Sequence, residues 1–217
     1  MKLPVLKELP LLAVISLPFI YLYNFWKTLP EKVPLHWNIN GEIDRYGDKS
    51  SLILVPILLP LMVYLVLLIV PIIDPKGRIQ NMGNKYHRIK VILVLFMTGL
   101  SIFILHAAKT ESFANPNVIV LILGFLFLVM GNYFKTIRAN YFIGIRTPWT
   151  LESEIVWKQT HRLAGKMWVV GGAIIVIASL ILEKEHNFRL FGTITIVITL
   201  IPVIYSYLMF KKLDTEI

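Results

Sequence analysis

Apolar residues fall in six long runs separated by more polar stretches, approximately Leu9 to Trp26, Leu52 to Ile73, Val91 to Ala108, Val118 to Phe134, Lys166 to Leu182 and Leu190 to Phe210. A helix that crosses the hydrocarbon core needs about 20 mostly apolar residues, with about 17–25 tolerated, so each run predicts a membrane span. The fourth and fifth are the shortest. Pro10, Pro18, Pro56, Pro60 and Pro202 lie within or near the ends of spans, where neighbouring helices can satisfy the backbone groups that a kink frees. The first run ends in Tyr23, Asn24, Phe25 and Trp26 rather than a small-x-small cleavage site, so it reads as an uncleaved anchor. Tyr21, Tyr23 and Trp26 suit an interfacial belt.

Composition agrees with this pattern. Of 217 residues 56% are hydrophobic and 16% charged, whereas soluble domains average about 45–50% and about 25%. With no cysteine in the chain, disulfides, thiolate nucleophiles and Cys-ligated metal clusters are excluded. The net charge of +9 would suggest nucleic acid in a soluble protein, but the placement of the basic residues gives another reason for it. The amino terminus, the second and fourth loops and the carboxy-terminal tail hold 15 of the 22 Lys and Arg, and the first, third and fifth loops hold 7. By the positive-inside rule both termini are cytoplasmic and the first, third and fifth loops face outward. Acidic residues split 6 inside and 7 outside, so the whole excess forms an inner rim that fixes topology and meets anionic membrane lipid. No direct nucleic-acid binding is expected.

The interiors of the six runs contain no Asp, Glu, Lys or Arg, which disfavours an ion-driven transporter. Their polar residues include Ser16, Asn24, Thr98, Ser101, Ser179, Thr193, Thr195, Thr199 and Ser206, types that bond across helices or to their own backbone. Ser101 and His106 cannot form a catalytic pair on one helix, because five residues at about 100° each put them about 140° apart. His36, His106 and His186 all fall on the outer side, and three imidazoles could hold zinc. They come from three separate loops without a local pair such as H-x-x-x-H, so neither a metal nor any other cofactor is expected.

Two loops carry more information. In the outer one, Pro30 and Pro34 favour extended backbone. Leu35, Trp37 and Ile39 then alternate with polar residues, and Asn40-Gly41 predicts a two-residue hairpin turn. The result would be a short amphipathic hairpin on the membrane surface, with Trp37 as a headgroup anchor or a ligand contact. The inner loop, from Gly131 to Leu163, is dense in aromatic and basic residues. Thr150 is a plausible N-cap for a helix from about Leu151, with Glu154 opposite Lys158 and Trp157 on the side of His161. That amphipathic helix would lie along the inner surface and feed the fifth span. The expected fold class is therefore all-α: a polytopic membrane protein with six transmembrane helices, a short outer hairpin-like loop and an inner amphipathic helix.

The stretch Asn140-x-x-x-Gly144-Ile145-Arg146-Thr147-Pro148-Trp149-Thr150-Leu151, followed by Trp157-Lys158-x-Thr160-His161-Arg162, closely resembles the signature of the SdpI family of bacterial membrane proteins. The outer Leu29-Pro30-Glu31-x-x-Pro34-x-x-Trp37 resembles DUF1648, a domain of unknown function found in the amino-terminal half of full-length members. The implied organisation is a DUF1648-like region over 1–75, a connecting region with the third span over 76–117 and an SdpI-like region over 118–217.

The resemblance implies a non-enzymatic, multi-pass immunity protein of the bacterial cell membrane that protects against a secreted killing peptide. It also implies a sensor that retains a cytoplasmic helix-turn-helix repressor at the membrane. On that reading Pro34, His36, Trp37, Asn38 and Gly41 meet the peptide at the outer leaflet. Asn140, Gly144, Arg146, Thr147, Pro148, Trp149, Trp157, His161 and Arg162 form the inner, partner-facing signature, with Arg146 and Arg162 against an acidic patch and Trp149 and Trp157 as buried anchors. A peptide or lipid transporter without ion coupling is the alternative from another class. An intramembrane enzyme would need a nucleophile–base pair, and no suitably spaced pair is visible.

Overall fold

The structure is a computed structural model that describes residues 5–113 and 115–215. Lys2, counted above with the inner rim, lies outside them. Six helices are long and apolar enough to cross a membrane, over Leu6–Thr28, Lys49–Ile73, Asn84–Thr110, Asn117–Phe134, Glu154–Ile181 and Lys184–Leu213. Large aliphatic side chains such as Leu65, Ile69, Ile177, Leu180, Ile196 and Leu208 are exposed along them, as expected where the surrounding solvent is lipid. The chain is an all-α polytopic membrane protein. It divides into two compact units, Met1–Ile69 with His87–Asn115, and Val70–Tyr86 with Pro116–Ile217.

In the first unit the strands β1 (Lys32–Trp37) and β2 (Ile43–Asp48) form an antiparallel hairpin in the expected loop. Its turn differs from the expected two-residue form. Asn38 N–H donates to Glu42 C=O at 2.9 Å and Gly41 N–H to Asn38 C=O at 2.9 Å, so Ile39, Asn40 and Gly41 together make a three-residue loop. Gly41, with φ 81°, takes the left-handed position that such a loop requires, and Asn40 does not share it. The hairpin sits on a core of Leu22, Phe25, Leu29, Val33, Leu52, Leu105 and Ala108. The second span is irregular. A 3₁₀ turn at Lys49–Ile53 and a π turn at Ile57–Leu61 precede the helix Met62–Ile73; the π turn contains Pro60, which has no N–H to offer the carbonyl of residue 56.

The first and third helices also extend past the apolar runs that announced them, so charged residues that flank the runs fall within the helices. Glu8 and Lys90 lie inside these helices, with side chains only 10% and 6% exposed, and pair at 2.6 Å. Lys90 also stands 5.7 Å from the Tyr64 ring centroid. The helical segments are therefore not free of ionised residue types. Each charge is tolerated because the other supplies the compensation that lipid cannot.

In the second unit the fourth and fifth spans pack most closely, and the reason is glycine at seven-residue spacing. A Cβ on Gly131 would come within 2.7 Å of Val169 N and 2.9 Å of Gly165 O, and one on Gly172 within 2.7 Å of Gly124 O. Only side chains without a Cβ let two helix backbones approach this far. Rings fill the crossing on either side, with Trp168 centred 4.7 Å from Phe127 and 4.8 Å from Phe134. At the other end, Asn187 on the sixth span donates to Asn117 Oδ1 at 3.0 Å and Ser179 Oγ at 3.2 Å, while Asn117 donates to Leu182 C=O at 2.9 Å. This amide clamp ties the three helices together. Other hydroxyls bond back to their own helices, as Thr195 does to Phe191 C=O at 2.7 Å.

Candidate functional site

The signature loop of the second unit folds around three buried polar residues, Asn140, Thr150 and His161. Asn140, 1% exposed, uses its whole side-chain amide. Its Oδ1 accepts from Phe142 and Ile143 N–H at 2.8 and 2.7 Å, and its Nδ2 donates to Arg138 and Ile143 C=O at 2.7 and 3.0 Å. A carboxylate could not donate and an apolar residue could do neither. This turn leads to Gly144, whose φ of 112° disfavours any side chain, and a Cβ there would meet Trp157 at 3.2 Å as well as His161.

His161 receives the loop. Its Nε2 accepts from Ile145 N–H at 3.0 Å and its Nδ1 faces Trp157 C=O at 2.8 Å. Because one partner is an obligate donor and the other an obligate acceptor, the imidazole is neutral with its proton on Nδ1. The ring stacks on Trp157 at a centroid distance of 4.1 Å. Trp157, 1% exposed, donates its indole N–H to Ile137 C=O at 2.8 Å. The shared side of Trp157 and His161 that helical spacing predicts is thus present, turned inward onto the loop.

The helix starts differ from expectation. Thr147, not Thr150, caps a short helix at Pro148–Glu152, with Pro148 in the first turn. Thr150 is its reciprocal partner: fully buried, it accepts from Thr147 N–H at 2.9 Å and donates to Ile145 C=O at 2.9 Å. Ser153 then caps a continuous helix, Glu154–Ile181. The amphipathic segment expected ahead of the fifth span is therefore the beginning of the same helix. Glu154 does not pair with Lys158; it meets Arg78 at 3.0 Å. Arg78 also donates to Ala139 C=O at 3.1 Å, fastening the segment before the third span to the signature loop. The Thr-Pro pair and Ser153-Glu154 carry start signals in the sequence, whereas nothing local announces Arg78.

The remaining signature residues are at the surface. Trp149 is half-buried, donates to Ser206 Oγ and packs on Tyr207 at 5.3 Å. Pro148, Arg146 and Arg162 are exposed, with Arg146 also donating to Tyr141 C=O.

In the first unit the outer candidates divide in the same way. Pro34 is buried at the base of the hairpin. Trp37 stacks against Phe113 at 5.3 Å, and its buried indole N–H has no partner among the described residues. His36 is exposed, with Nδ1 2.6 Å from Asp44 Oδ1. Asn38 shapes the tip, its Oδ1 accepting from Asn40 and Glu42 N–H at 2.9 and 3.0 Å. His106 bonds through Nδ1 with the Tyr21 hydroxyl at 2.8 Å. Among the described residues no three His, Asp or Glu side chains converge as a metal site would require.

Fold and site together define a polytopic membrane protein whose signature stretch is a self-bonded loop rather than a row of reactive groups. Comparison with known proteins finds likeness in two stretches of the chain and along its length. Residues 136–206 match the SdpI/YfhL protein family and residues 13–59 match the domain of unknown function DUF1648. The chain is also 26% identical over 210 residues to the immunity protein SdpI of Bacillus subtilis strain 168, covering 96% of this chain and 98% of that one. The two matched stretches contain the motifs around Asn140 and Pro34 that the sequence singles out. No solved structure matches.

Proposed function

We infer that this is an integral membrane immunity protein that protects its cell against a secreted killing peptide. The observation that carries the reading is the end-to-end alignment with the immunity protein SdpI, which covers 96% of this chain. A protective role needs no reacting groups, which suits a signature loop whose Asn140, Thr150 and His161 satisfy one another and the backbone. The peptide meets the outer leaflet at the hairpin, where His36 and Ile39 to Glu42 are accessible and Trp37 is fixed against Phe113.

Signalling is the finer part of the proposal. A cytoplasmic repressor is held at the opposite face through exposed Arg146 and Arg162, while Trp149 and Trp157 keep that surface in shape from within. Peptide binding changes the loop only through different affinities for two of its conformations.

The test is survival of a sensitive bacterium that expresses the chain and is challenged with the killing peptide encoded nearest to it. Protection is expected, and it falls when Trp37 is replaced at unchanged membrane abundance. Arg146→Ala should weaken signalling while leaving insertion intact. No protection, together with peptide or lipid accumulation in proteoliposomes, would replace immunity by the transporter reading.

A further inference from the structure

Six cations of the second unit surround one concavity. Lys76, Arg78 and Lys85 come from the segment between the second and third spans and the start of the third, Lys135 and Arg138 follow the fourth span, and Lys158 lies in the opening turns of the fifth. With the backbone around Ile137 and Ala139 they line a cavity of about 640 Å³. The carboxylate in its wall, Glu154, is already engaged by Arg78. Lys76 stands over the Tyr141 ring, 5.2 Å from its centroid. Lys85, Lys135, Arg138 and Lys158 have no ion-pair partner among the described residues.

A solvated basic rim would spread its charges over a convex surface. Here they converge on a concave one, where low-dielectric walls focus the field and raise the attraction for an anion. The walls are held in place: Arg78 is bonded to Ala139 C=O at 3.1 Å and Trp157 to Ile137 C=O at 2.8 Å. Depth supplies the second clue. Lys76 lies just beyond Ile73 and Lys135 directly follows Phe134, while Lys85 and Lys158 stand in the polar opening turns of their helices, ahead of the apolar runs at Val91 and Lys166. Where such helices cross a bilayer their ends meet the headgroup region, and basic pockets between spans bind phosphorylated headgroups.

We propose that this cavity binds phosphoryl groups, and that its position at the span ends directs it to an anionic phospholipid. The site goes beyond the immunity reading and depends only on the membrane fold. Lipid headgroups and free phosphate share the recognising chemistry, so the experiment separates them.

The full chain in neutral detergent is titrated with cardiolipin, phosphatidylglycerol, phosphatidylcholine or inorganic phosphate, and followed by native mass spectrometry and thermal unfolding. Cardiolipin should be retained best and phosphatidylcholine not at all. Removing two exposed cavity charges in Lys135→Gln/Lys158→Gln should weaken cardiolipin binding roughly thirtyfold, taking about 1 kcal/mol per cation. Lys7→Gln/Arg88→Gln, an equal charge loss at residues that do not line the cavity, should change it less than about threefold on the same scale. Unliganded melting temperatures show whether each variant is folded, and Arg138→Gln serves if the double variant is not. Protection by inorganic phosphate with no lipid preference would keep the phosphate site and assign its occupant to solution. Equal losses in both double variants, or retention of phosphatidylcholine to the same extent, would overturn the proposal.

Discussion

At the level of single residues, the signature is a set of hydrogen-bond obligations. His161 keeps Ile145 N–H satisfied in a place water does not reach, since the ring itself is only 1% exposed. Replacing it with phenylalanine keeps the stack on Trp157 but orphans that donor, at a cost of about 1–3 kcal/mol. Amide exchange across residues 141–147 should therefore accelerate by roughly 5- to 150-fold in His161→Phe. Unchanged exchange would mean that the loop is held by something other than the imidazole. Much of this was legible in the sequence: Asn140, Gly144, Thr147, Trp157 and His161 stand out as a motif, and helical spacing puts Trp157 beside His161. The roles were less legible. Trp157 invites reading as a partner anchor because aromatic residues dominate interfaces, and only tertiary contact with Ile137 C=O shows that its surface is spent within the loop.

Among elements, the tightest pairing is between the fourth and fifth spans, and it depends on glycines that attract no notice in a run of aliphatic residues. Periodicity places the spans, but it cannot say which helix will be a neighbour. Nor could it anticipate that Ser153 starts the fifth helix about three turns before the apolar run. Cap residues signal a start only where the competing cap, here Thr150, is recognised as a third-position partner instead. Two glycine substitutions separate the contributions. Gly172→Ala must push against the Leu128 and Gly124 backbones, and overpacking of this kind costs about 1–3 kcal/mol. Gly99→Ala, in the third span, meets nothing within 4 Å and gains up to about 1 kcal/mol of helix propensity. Melting in one detergent should therefore lower the first variant and leave the second equal or higher. A Gly172→Ala protein as stable as its parent would show that the two helices do not rely on this approach.

For the whole molecule, the same charges that build the phosphate cavity also argue the topology. If the six spans alternate in direction across a membrane, 15 of the 22 Lys and Arg fall in the segments assigned to the side of the signature loop, and loops rich in Lys and Arg are expected to stay cytoplasmic. The apolar runs made the number of spans legible, but not the Glu8–Lys90 pair, because each residue sits at the margin of its run and reads as a solvated flank. The hidden pair leaves the sidedness argument intact, for Lys90 counts within a loop that holds Lys76, Arg78, Lys85 and Arg88 as well. A chain without cysteine can test the argument directly. Asn40→Cys puts a thiol at the exposed hairpin tip, and Lys158→Cys puts one at an exposed position by the signature loop. A membrane-impermeant maleimide applied to intact cells should label the first and spare the second, and both should react once the membrane is opened. The reverse pattern would turn the molecule over. The hairpin could then no longer meet a secreted peptide from outside, nor the exposed Arg146 and Arg162 a cytoplasmic partner, so one labelling experiment bears on both halves of the functional reading.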